Sequence, residues 1–227
     1  MVGLAGLALR RGVPGVSGVS DTSRSPLLET LRNHGWLLGG IAALSVFNAV
    51  GFYLMFVYVV SWLQQVDGIP PAAALGINTI SMGLLLPLLV AMGWASDRVG
   101  RRPVMLTGAA LGLVGAWPFL WLMHHGNPSW ILLGQFGFVL AISAFGGVLP
   151  TLMVEAVPAR VRCTTIALGY NVTVGVTGGL SPLVATWLVH RTGNDYGPAF
   201  MVMAAAAISL LATLKFRETF VPKATTA

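Results

Sequence analysis

The side chains able to do chemistry in this 227-residue chain are few, and they are densest in two short segments. The first reads GWASDRVGRRP over residues 93–103 and holds Asp97, Arg98, Arg101 and Arg102. The second reads VEAVPARVRC over residues 154–163, where Glu155 is the only acid beside Arg160 and Arg162. Asp97 can pair with an arginine one helical turn away or cap a helix N-terminus. Exposed pairs of this kind contribute only about 0–1 kcal/mol each, so the charges read equally well as helix caps and anchors. No paired carboxylates, zinc-ligand spacing or phosphate-cradling glycine loop is present. No catalytic residue, metal or cofactor is therefore expected. Cys163 is the only cysteine, which excludes an intrachain disulfide.

A second set of polar side chains lies inside long apolar runs, where each needs a partner. Tyr170, Thr173, Thr177 and Ser181 are spaced as one stripe of a helix, with Asn171 beside it. Asn48 and Phe52 share a face of an earlier run, next to Tyr53. Asn78 and Gln135 sit in two further runs. Such groups either hydrogen-bond between helices, at about 0.6 kcal/mol apiece, or line a polar cavity. For any single residue the first reading is favoured; for the Tyr170–Ser181 stripe as a whole, the second. Gly108 with Gly112, and Gly175 with Gly179, are spaced as helix-packing pairs. No acid or base falls at mid-depth in any apolar run. A proton-coupled process would have to find its titratable group outside them. His34, His124, His125 and His190 fall at or beyond the ends and read as solvated interface residues.

These side chains are carried by elements whose nature the composition dictates. Hydrophobic residues make up 56% and charged residues 9% of the chain, and mean hydropathy is +0.80. A soluble domain carries about 25% charged residues, so the apolar excess must face lipid. Six runs are long enough to cross a bilayer as helices: 38–63, 72–95, 103–123, 130–153, 164–189 and 199–216. None contains Asp, Glu or Arg. The expected fold is an all-α membrane protein with six transmembrane helices over residues 38–216. Residues 1–37 read as a cytoplasmic linker, with Leu27–Trp36 as a short amphipathic helix, and 217–227 as a tail. Met1–Leu9 is apolar but precedes Arg10 and Arg11, the reverse of a secretory signal.

Orientation follows from the loops. Arg10, Arg11, Arg24, Arg32, Arg98, Arg101, Arg102, Arg160, Arg162, Lys215, Arg217 and Lys223 fall on one side, twelve of the thirteen basic residues. Only Arg191 falls on the other. This bias places both termini in the cytoplasm and the chain in the cell (inner) membrane. The net charge of +6 is thereby explained without nucleic acid.

The pattern over 93–102 resembles the G-x-x-x-D-R-x-G-R-R signature of the major facilitator superfamily. The segments 154–164 and 168–186, Asn48–Tyr53 and Arg217–Thr219 are similar to its metabolite:proton symporter branch. The resemblance implies half of that fold, two three-helix repeats corresponding to the C-terminal six helices, with Met1–Leu9 as a stub of the preceding helix. It implies symport of a small organic solute with a proton, of organic acid, proline or betaine type, by alternating access. It further implies a cytoplasmic gate on Asp97, Arg101, Glu155 and Arg162, beside which Arg98 and Arg102 are further candidates, and four helices around a cavity, for which Asn48, Phe52, Tyr53, Asn78, Gln135, Tyr170, Asn171, Thr173 and Thr177 are the candidate residues. The partners are membrane lipid, solute and proton, and a further six-helix half or a second copy of this chain. A truncated, non-transporting fragment or a membrane interaction protein is the alternative reading.

Overall fold

A computed structural model of the chain describes residues 35–218. The expected linker and tail, the Met1–Leu9 stub and most of the amphipathic segment lie outside these residues. Six helices fill the described chain: α1 (Gly35–Gln65), α2 (Pro71–Val99), α3 (Arg101–Met123), α4 (Pro128–Ala156), α5 (Arg162–Thr192) and α6 (Gly197–Lys215). All six are long and apolar enough to cross a membrane. The fold is all-helical, as the hydropathy pattern requires.

Local chemistry sets the boundaries. Pro71, Pro128 and Pro198 stand in the first turns of α2, α4 and α6, where a missing N–H costs nothing. The Asn127 side chain accepts the Ser129 N–H at 2.9 Å and caps α4. The segment expected as a loop over 96–102 is almost entirely helical. A single residue, Gly100, makes the reversal from α2 to α3 at φ 113° and ψ 157°, a region essentially reserved for glycine.

Close packing concentrates on α3, α4, α6 and α1. A Cβ on Gly108 of α3 would stand 2.8 Å from the Phe145 nitrogen and 2.9 Å from the Ala141 oxygen of α4. Gly112 lies under the ring of Phe47, which meets Phe145 edge-on at 5.3 Å. The Ser209 hydroxyl ties α6 to α1, donating to the Ala43 carbonyl at 2.7 Å and accepting from the Phe47 N–H at 3.0 Å. The 108/112 pair thus packs as its spacing predicts. Gly175 and Gly179 do not: a Cβ on either would meet nothing within 4 Å.

Coverage is uneven. Within their most apolar stretches, 61% of α1 and 67% of α4 are buried, against 22% of α2 and 22% of α5. Leu86 and Val90 of α2, Val114 of α3 and Leu183 of α5 are all more than three-fifths exposed. Water would not tolerate that surface on a single chain, whereas hydrocarbon or another helical unit would.

The glycine contact between α3 and α4 generates a direct test. Gly108→Val should overpack the interface and cost about 1–3 kcal/mol, seen as a lower unfolding temperature in detergent. Gly83→Ala, where a Cβ meets open space, should leave that temperature unchanged or slightly raised. Equal behaviour of the two variants would sink the assignment.

Candidate functional site

Charged groups gather where α2, α3, α4 and α6 end. Arg101 opens α3 and folds its side chain back over the last turn of α2. Its Nη1 donates to Ser96 Oγ at 3.0 Å and pairs with Asp97, while Nη2 reaches Glu155 Oε1 of α4 at 3.3 Å. The Arg101 side chain is 12% exposed and that of Asp97 60%, so the arginine is the inner member of the cluster. The Glu218 carboxylate accepts the backbone N–H groups of Arg101 at 3.0 Å and Arg102 at 2.9 Å. It thereby caps α3, whose first turn carries no acid of its own. Arg102 Nη2 donates to the Leu214 carbonyl near the end of α6 at 2.8 Å.

Of the six charged residues picked from the sequence, Asp97, Arg101 and Glu155 come together. Arg102 turns to α6. The Arg98 guanidinium lies 3.6 Å over the Trp94 ring, and Arg162 Nε donates to the Val157 carbonyl beyond α4 at 3.0 Å. Ser96 and Glu218 are the members that sequence reasoning missed. The only hint was the acid-free start of α3, which requires an acceptor from elsewhere.

A second site lies at mid-span, where two helices widen. Tyr53–Tyr58 of α1 forms a π-helical turn, closed by an N–H of Val59 donating to Leu54 five residues back. Val174–Gly178 of α5 forms another, closed by Gly179 donating to Val174. The two turns touch: a Cβ on Gly178 would stand 2.8 Å from the Tyr53 ring. Phe52 stacks against Tyr53 and Phe56 at 6.1 and 5.3 Å, so α1 presents an aromatic group here.

Widening a turn disturbs the i→i−4 ladder and opens its carbonyls to lateral donors. Two amides supply them. Gln135 Nε2 of α4 donates to the Met55 carbonyl at 3.2 Å and to Asn78 Oδ1 at 3.0 Å. Asn78 Nδ2 of α2 donates to the Phe56 carbonyl at 3.0 Å. Both amides are buried, Gln135 completely. They are placed between helices as clamps on the widened turn of α1.

The α5 stripe is also turned inward. Thr173, Thr177 and Ser181 donate to carbonyls three or four residues back in their own helix, at 2.6–2.7 Å. Thr173 and Ser181 are buried, Tyr170 and Thr177 half-buried, and Asn171 exposed. Asn48 is half-buried, with its Oδ1 only 2.6 Å from where a Gly146 Cβ would stand, beside the break in α4. Asn48, Phe52, Tyr53, Tyr170, Thr177 and Asn171 are thus the cavity candidates with accessible surface.

At the opposite end, Asp67 in the α1–α2 turn meets His124 at the end of α3, Oδ1 to Nδ1 at 2.6 Å. His124 also stacks between Trp62 and Tyr196, at 5.7 and 5.6 Å. This histidine, expected to be simply solvated, is built into a cluster joining three elements. The second oxygen of Asp67 is buried without a hydrogen-bond partner among the described residues. Burial raises the Asp67 carboxyl above its ordinary value; His124 pulls it back in part, and Asp195 adds to the rise.

Two tests follow from these contacts. Gln135→Leu removes the donor to Met55 and leaves Asn78 Oδ1 unpaired, and should cost about 1–3 kcal/mol in detergent unfolding; a loss below the measurement error would reject the clamp. For Asp67, a raised value means that the folded chain holds this proton more tightly than the unfolded one. The matching stability is complete below about pH 4, the ordinary aspartate value, and is lost as pH climbs through the raised value. Asp67→Asn should therefore gain on the parent chain as pH rises from 4 toward 7. A difference that stays flat across that window would count against it.

With this geometry in hand, likeness to known proteins can be weighed. The family model described as Major Facilitator Superfamily matches residues 41–227. The ectoine/proline transporter ProP of Corynebacterium glutamicum is 32% identical over 207 residues, covering 86% of this chain and 39% of that protein. The glycine betaine/proline/ectoine/pipecolic acid transporter OusA of Dickeya dadantii is 32% identical over 192 residues, covering 83% and 38%. A putative proline/betaine transporter of Staphylococcus aureus is 29% identical over 167 residues, covering 73% and 36%. The chain therefore spans less than two-fifths of the length of these relatives. Among solved structures, the proton:xylose symporter XylE bound to 6-bromo-6-deoxy-D-glucose aligns with a TM-score of 0.59 at 16% identity, over 82% of this chain and 46% of that one. That likeness concerns the fold alone. Six apolar helices, the charged Gly93–Arg102 turn and a family match over most of the sequence lead to one assignment: this chain belongs to the major facilitator superfamily.

Proposed function

We propose that this chain forms the C-terminal half of a secondary transporter that carries a small organic solute of organic acid, proline or betaine type together with a proton. The observation that carries the reading is the uneven coverage of the bundle. α2 and α5 leave most of their apolar stretches uncovered, and the uncovered side of α5 holds Asn171, Gly175 and Gly179 beside the widened turns. A second six-helix unit seated there would close a cavity with Phe52 and Tyr53 on one wall. Transporters of this type rock two halves about a midplane site. The other half belongs either to a longer protein or to a second copy of this chain; parallel repeats related by an axis along the membrane normal permit both.

The activities for which the relatives are named favour proline and betaine-like solutes. So does the chemistry of the wall. A quaternary ammonium is stabilised by aromatic faces, which Phe52, Tyr53 and Tyr170 offer, whereas a dicarboxylate asks for a cation that no described mid-span residue provides. The proton-binding group then belongs to the other half. Asp97, Arg101 and Glu155 join the α2–α3 turn to α4 and serve as the inner gate, parting when the cavity opens to the cytoplasm. The basic residues of that end orient it, and both termini, inward.

Uptake of radiolabelled proline and glycine betaine tests this in cells lacking carriers of their own. The chain should drive uptake above background when co-expressed with the first six helices of a relative, and Tyr53→Ala should weaken betaine uptake by about 5–30-fold. Verified membrane expression with no uptake of either solute in any combination would reject the reading.

A further inference from the structure

A groove of about 840 Å³ opens between the start of α1 and the end of α6, at the end of the bundle that carries Arg101 and Arg102. Its walls are apolar: Trp36, Ala43, Ile208 and Leu211 line it. Trp36 is 73% exposed and Leu211 61%. Its mouth is cationic, with Lys215 and Arg217 on one lip. Neither makes an ion pair among the described residues. From Lys215 to Ile208 the wall descends about two turns of α6, roughly 10 Å. That is deep enough for the upper part of an acyl chain.

The floor is shaped rather than merely bare. Phe216 turns its ring onto Gly40, where a Cβ would stand 2.9 Å from it, and so closes the groove on that side. A Cβ on the neighbouring Gly39 would meet nothing within 4 Å and would project into the open space. Two glycines in sequence thus do opposite things: one receives the end of α6, the other leaves room.

We propose that this groove is a binding site for an anionic phospholipid, its phosphate between Lys215 and Arg217 and one acyl chain along Ala43, Ile208 and Leu211. Charge complementarity selects this occupant. Residues 1–34 carry four arginines against Asp21 and Glu29, the wrong sign of charge for a cationic mouth. A zwitterionic lipid would fit the walls but gain little from the two cations. The site is separate from the proposed transport cavity and does not depend on it.

The test uses the full chain in phosphatidylcholine bilayers, doped with phosphatidylglycerol or phosphatidylcholine brominated on the acyl chain. Bromine quenches tryptophan on contact, and the Trp36 contribution is the difference between the parent chain and Trp36→Phe. Brominated phosphatidylglycerol should quench that contribution at about a tenth of the dose needed for brominated phosphatidylcholine, from roughly tenfold enrichment by two surface cations. The double variant Lys215→Gln/Arg217→Gln should abolish the preference. Gly39→Leu should abolish the quenching while leaving the unfolding temperature unchanged. Equal quenching by both lipids, a preference that survives loss of both cations, or a Trp36 shielded from either lipid by the chain's own N-terminal segment would each overturn the proposal.

Discussion

Hydrocarbon offers a peptide group no hydrogen-bond partner, and most of the architecture follows from that. Six helices, the fourth broken only at Gly147–Val148, satisfy nearly all of their own backbone. Where α1 widens, the disturbed carbonyls at Met55 and Phe56 are met at once by amides from α4 and α2. The hydroxyls of α5 settle on carbonyls of their own helix rather than seeking distant partners. The same economy appears at the ends. The first N–H groups of α3 find a carboxylate from beyond α6, and a late carbonyl of α6 finds an arginine from α3. Each end completes the other.

Apolar burial cannot organise such a bundle, because lipid is as apolar as leucine. Approach distance does so instead. Gly108, Gly112 and Gly134 bring α3 against α4 and against the ring of Phe47. Helices packed this closely are difficult to displace singly. α1, α3, α4 and α6 pack on one another in this way, and α2 and α5 approach them equally closely through Gly147 and Gly169. The aromatic turn of α1 is tied to α4 by Gln135, whose amide donates to the Met55 carbonyl.

The spans were legible in the sequence because each has a local cause, a long apolar run; the Gly100 reversal has one as well, a residue able to adopt positive φ. Placement of the polar side chains was legible only in part. Tyr53–Tyr58 reads as six ordinary helix residues, so nothing in it announces a widened turn needing lateral donors. For Asn78 and Gln135 the structure gives the reading favoured for single residues, hydrogen bonds between helices, rather than the cavity for which they were also candidates. Glu218 lies more than a hundred residues from the helix that it caps, a separation no local pattern can bridge. Gly175 and Gly179 have packing spacing but face open space, since spacing sets which residues share a face and not what that face meets.

The widened turn in α1 also bears on how this sequence varies over time. A π turn holds about one residue more than the α-helix it interrupts, and one residue is worth roughly 100° of rotation. Losing a single residue from Tyr53–Tyr58 would let the turn relax to regular helix while Leu44 and Phe47 on one side, and Trp62 and Leu63 on the other, kept their facing. Elsewhere in a close-packed helix the same deletion would swing every following side chain out of register. This stretch is thus a place where the length of a membrane helix can drift by one without unmaking the bundle, and where aligning homologues without a gap would match the wrong faces.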